Sequence, residues 1–94
     1  MADAAASREE AGRAAQLAFG SAVRGLRQQR GLSQERLAFR AGLHPSYVAQ
    51  VERGERNISL RNIWQLADAL NVDAGELLVP GPSQQPPSAG RFRG

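Results

Sequence analysis

The chain has 94 residues, enough for one small domain with a limited core and marginal stability. It contains no cysteine and one histidine, His44, which excludes disulfides, thiolate metal sites, a cysteine nucleophile and any multi-histidine ligand set. The net charge is only +3, but it is segregated: residues 24–61 carry eight arginines against three glutamates, and residues 62–79 carry three acids and no basic residue. No apolar run approaches the roughly 20 residues of a membrane span. The opening MADAAASREEAG lacks the basic start and apolar core of a secretory signal. A cytoplasmic, nucleoid-associated protein with no membrane partner is expected.

In chain order, residues 1–17 are Ala-rich with mixed charge. Ser7 and Glu10 have capping-box spacing, so a helix could begin at Arg8, while Gly12 and Gly20 weaken it. The expectation is a flexible or partly helical arm. Helices are then predicted over 18–29, 34–41, 45–53, 60–70 and 74–79. Four hydrophobic staples mark the starts: Leu32/Leu37 around Ser33, Leu43/Val48 around His44, Ile58/Ile63 around Ser59 and Val72/Leu77 around Asp73. Ser33, Ser59 and Asp73 are good N-caps, and Asp73 with Glu76 has capping-box spacing. Pro45 falls at the first helical position, where its missing N–H costs nothing. Gly31, Gly42, Gly54 and Asn71 stand where a helix ends on a left-handed residue.

The expected apolar stripes are Phe19/Val23/Leu26, Leu37/Ala38, Val48/Val51, Leu60/Ile63/Leu66/Ala67/Leu70 and Leu77/Leu78. No strand signal appears. Residues 80–94, PGPSQQPPSAGRFRG, cannot bury a core and read as a disordered tail. The fold class expected is all-α, with five short helices on one small core over residues 18–79.

The second and third helices are joined by a few residues, with Ala38, Gly42 and Val48 at intervals of four and six. Helices crossing steeply need a small side chain at their approach, a glycine in the turn and an aliphatic plug from the second helix. That is a helix-turn-helix. The run LSQERLAFRAGLHPSYVAQVERGERNISLRNIWQLADALNVDAGELL resembles the lambda-repressor-like, Cro/C1-type (Xre) helix-turn-helix family over about residues 19–79. Its marks are SQ opening the second helix, the A…AG before the turn, VAQVERG ending the third, and ISLRNIWQLADAL for the fourth. AFRAGLH and VERGERNISLRNI also look like the controller proteins that time restriction–modification gene expression.

The resemblance implies a third helix lying in the major groove of double-stranded DNA. Carried over by position, Pro45, Ser46 and Gln50 occupy base-reading places, and Tyr47, Arg53 and Asn57 occupy backbone-contacting ones. Gln34 takes the place of a residue that contacts phosphate and braces the third helix, and Arg27 and Glu52 match a buried ion pair. The family's dimers pair through their last helices, which here implies Trp64, Leu77, Leu78 and Val79.

Side-chain chemistry agrees where it speaks. Gln50 can make the bidentate amide contact to adenine or a single contact to another base edge. Arg53, Tyr47 and the free N–H groups opening the second helix suit phosphate oxygens. His44 reads as an N-cap and phosphate neighbour. Each residue also has a plainer reading: Gln50 as solvated surface, Tyr47 as core packing, Trp64 as a cap on the core edge, Arg91 and Arg93 as a solvated tail. The expectation is a sequence-specific transcriptional regulator, a repressor-type homodimer on a palindromic operator. It needs no metal or cofactor, and no small-molecule ligand is evident. The alternatives are the antitoxin or controller of a two-gene system, or a helix-turn-helix used for protein interaction. No acid/base pair or phosphate loop can be assembled, so an enzyme is not expected.

Overall fold

The computed structural model describes residues 2–78, with side chains from Ser7 onward. Five helices follow in order: α1 (Ala2–Gln29), α2 (Gln34–Ala41), α3 (Pro45–Glu52), α4 (Leu60–Leu70) and α5 (Ala74–Leu77). Val79 and the tail 80–94, with Arg91 and Arg93, lie outside the described residues.

The caps explain why the helices start where they do. Ser33 Oγ accepts the Arg36 N–H at 3.0 Å, and Ser59 Oγ accepts the Asn62 N–H at 3.2 Å. His44 Nδ1 accepts the Ser46 N–H at 3.2 Å behind Pro45. Asp73 caps α5 by backbone conformation but makes no side-chain cap bond, so its capping box with Glu76 is not formed.

The ends are equally regular. Gly31, Gly42, Gly54 and Asn71 all adopt left-handed φ values, between 60° and 76°. In each case the following N–H reaches back over the turn: Leu32 to Arg27 O, Leu43 to Ala38 O, Glu55 to Gln50 O and Val72 to Ala67 O, at 2.9–3.1 Å. This is the Schellman arrangement, repeated after α1 to α4.

One cluster forms the core. Phe19 and Val23 of α1 meet Leu37, Ala38 and Ala41 of α2, Val48 and Val51 of α3, the Ile63/Leu66/Ala67/Leu70 stripe of α4, and Leu77 of α5. Helix α1 packs on α3, α4 and α5, and α2 packs on α3 and α4. The partly buried Leu32, Leu43, Ile58 and Val72, each the outer half of a staple, close the edges of the cluster.

Three further expectations change. Helix α1 does not begin at 18: it runs unbroken from Ala2, so Ser7 lies inside it and caps nothing. Alanine-rich sequence carries the helix past Gly12, whose cost is small. Its inner half is also anchored, since Gln16 Nε2 donates to Gly54 O at 3.3 Å. Leu60 is 66% exposed instead of joining the α4 stripe. It occupies the first helical position, while Ile58 before the cap takes the inward place. Leu77, expected both on the apolar stripe of α5 and at a subunit interface, is fully buried in the chain's own core, as the stripe implied and the interface did not. The Val72/Leu77 staple turns it onto the core cluster, leaving Leu78 outside at 55% exposure.

Candidate nucleic-acid interface

The helix-turn-helix is held from behind by a polar cluster. Glu52, at the end of α3, is paired with Arg27 of α1 through Nε–Oε2 at 2.7 Å and Nη2–Oε1 at 3.0 Å. The Glu52 side chain is only 3% exposed, and that of Arg27 12%. Arg27 Nη1 also donates to Leu32 O at 2.8 Å, and Gln34 Nε2 donates to Glu52 Oε1 at 3.0 Å. The bond to Glu52 raises the Arg27 pKa above its ordinary value despite partial burial. One carboxylate therefore ties α1, the entry to α2 and the end of α3 together, and among the described residues no buried side-chain nitrogen or oxygen lacks a partner. The brace assigned to Gln34 is visible here. Its phosphate role would fall to its backbone N–H and its remaining amide hydrogen.

The close approach of α1 to α3 depends on Gly20. A Cβ there would collide with Val51 O and come within 2.7 Å of Glu52 O. The sequence shows this glycine only as a weak point in a helix; the structure makes it the contact point.

The outer face of α3 begins with His44, Pro45 and Ser46, all exposed. The Ser46 N–H can only donate, so His44 Nδ1 is the unprotonated nitrogen, and in the neutral ring Nε2 carries the proton. Ser46 Oγ lies 2.9 Å from the same Nδ1, donating its proton there and leaving its lone pairs outward. Tyr47 is partly buried, its ring packed against the core and its hydroxyl accepting from Asn62 Nδ2 of α4 at 3.0 Å. Packing and an available phenolic proton coexist in one side chain.

Farther along, Arg53 pairs with Glu55 at 3.0 Å. Both groups are exposed, and the bond raises the Arg53 pKa while holding the Glu55 carboxyl below its usual range. A phosphate at this place would compete with Glu55 for the guanidinium. Asn57 is exposed on the same loop.

Two residues here escape sequence reading. Arg56 donates from Nε to Gln50 Oε1 at 2.9 Å, and its guanidinium carbon lies 5.0 Å from the centre of the Tyr47 ring. A lone arginine in a loop carries no periodic signal, so only the fold brings it onto α3. Phe39, on the outward side of α2, is 80% exposed.

The face thus presents a proline edge, a hydroxyl, an amide and two arginines beside the N-terminus of α2, a combination suited to base edges and phosphates. The sequence profile of the helix-turn-helix family matches residues 23–77. The chain belongs to the helix-turn-helix family. Control protein C.BamHI from Bacillus amyloliquefaciens is 46% identical over 63 residues, covering 66% of this chain and 78% of that protein.

Among solved structures, the restriction-modification controller protein C.AhdI from Aeromonas hydrophila superposes with a TM-score of 0.65 at 55% identity, covering 66% of this chain and 94% of that one. The hypothetical transcription factor NHTF from Neisseria superposes with a TM-score of 0.70 at 40% identity, covering 73% and 79%. This helix-turn-helix protein is a DNA-binding transcriptional regulator. Among its described residues no helix is long and apolar enough to cross a membrane.

Proposed function

We propose that this regulator binds a two-fold symmetric operator as a homodimer, with α3 of each protomer in the major groove. The observation that carries the reading is the outward side of α3, where Pro45 and Ser46 are exposed and Gln50 is half-buried, framed by Arg53, Arg56 and the free N–H groups opening α2. Pro45, Ser46 and Gln50 read bases; Gln34, His44, Tyr47, Arg53 and Asn57 lie at phosphates. One such head spans few base pairs, and pairing two heads roughly 34 Å apart doubles the contacts.

The pairing surface is the exposed apolar set of Leu60 and Trp64, four apart on α4, with Leu78. Leu77, buried in the core, supports it from beneath, and Val79, expected in the same surface, lies outside the described residues. The acidic residues Asp68, Asp73 and Glu76 fall in the α4–α5 segment and the arginines of residues 24–61 at or before its start, so a dimer paired through that segment presents its basic half to DNA. Similarity to C.BamHI and C.AhdI supports a narrower reading, in which the regulated genes are a restriction–modification pair; the genes beside its own test that.

The central test is a mobility-shift titration against fragments from upstream of the gene, at fixed salt. Gln50→Ala relaxes specificity at one base pair, by about 1–3 kcal/mol, whereas Arg53→Ala weakens every sequence and flattens the salt dependence. If both variants bound every fragment as wild type does, the assignment of this face would be wrong.

A further inference from the structure

The amide of Gln50 is not free to choose its orientation. Arg56 Nε–H donates to it at 2.9 Å, and an N–H can be met only by the amide oxygen. Oε1 therefore faces the loop, and the two N–H donors of Nε2 face the other way. Arg56 is itself held in place. Its guanidinium lies over the Tyr47 ring at 5.0 Å, a cation–π distance, and the Tyr47 hydroxyl is fixed by Asn62 Nδ2 at 3.0 Å. Side chains from α3, the α3–α4 loop and α4 thus set one amide.

This orientation has a consequence for base reading. A glutamine recognises adenine by accepting from N6 with its oxygen while donating to N7 with its nitrogen. With the oxygen turned to a guanidinium, that paired contact is lost, and the adjacent positive charge opposes the N6–H donor. An edge made only of acceptors suits the remaining donors and the cation alike. Guanine, with O6 and N7, presents two acceptors in the major groove. We infer that Arg56 is a positioning residue that makes Gln50 a reader of guanine instead of adenine. The inference rests on the proposal that α3 enters the major groove.

Selection of bound sequences from a randomised half-site library tests it. Gln50→Ala identifies the position Gln50 reads, as the one that loses its preference. Wild type favours guanine over adenine there by about tenfold. Arg56→Met keeps an apolar stem over Tyr47 but removes the donor, so the selected base changes to adenine. Arg56→Lys, which retains a cationic donor, restores guanine. A change of letter is a readout that a merely structural role would not produce.

Guanine retained by Arg56→Met, or adenine selected by wild type, would overturn the inference and leave the regulator reading intact. A position that becomes featureless in Arg56→Met would also overturn it, because Arg56 would then be the reader. If wild type selected no sequence at all, the sequence-specific reading would fall together with the inference.

Discussion

Gly12 and Gly20 sit on the same helix and do opposite things. Nothing lies within 4 Å of a Cβ built at Gly12, so Gly12→Ala should stabilise the protein by about 0.5–1 kcal/mol through helix propensity alone. At Gly20 the same substitution drives a methyl group into the backbone of α3 and should cost about 3 kcal/mol or more. Urea unfolding of the two variants checks the pair, and equal effects would contradict the close approach. Glu52 is the other residue on which the assembly turns. Glu52→Ala leaves Arg27 without its carboxylate and Gln34 without an acceptor, a loss of about 3–5 kcal/mol. A domain this small has little more stability than that to lose. The midpoint should therefore fall far more for Glu52→Ala than for truncation of the exposed Glu55.

The helices were largely legible from their ends. Staples, caps and left-handed stops placed α2 and α4 to the residue, because each signal is local and satisfied within one turn. The end of α1 was legible in the same way, at Gly31, but its start was not. An Ala-rich stretch interrupted by glycines has no local start signal, and its anchor is Gly54, far along the chain. The start of α3 shows how local rules serve recognition. Pro45 pre-sets the helix entry and, on the proposed docking of α3 in the major groove, offers an apolar edge suited to a thymine methyl. Pro45→Gln should therefore change the preferred half-site, not only the affinity, as read by sequencing of selected DNA. An unchanged selected sequence would contradict a base-facing proline.

The charge segregation and the apolar surface belong to the assembled protein. Trp64 is 57% exposed, and Leu60 shares its side of α4. The proposed pairing surface rests on these two large side chains being exposed together with Leu78. Trp64→Glu should convert dimer to monomer in sedimentation while leaving the helical content unchanged. Operator affinity should fall by about 100-fold, because the second head no longer binds as part of the same molecule. A monomeric wild type would remove the basis for this interface.

The sequence by itself determined the helix-turn-helix, its caps and turns, and the identity of the polar residues on α3. These depend on spacing within one or two turns of chain, where side chain and backbone interact directly. The tertiary structure alone decided between two readings of Leu77, core stripe and subunit surface, in favour of the core, and it left Leu60 at the surface. It also decided that Gly20 is a contact and not a defect, and that Arg56 reaches Gln50. Each of these depends on where a distant segment comes to lie. Packing of α1 across α3, and of the α3–α4 loop against Tyr47, creates distances that no local pattern encodes.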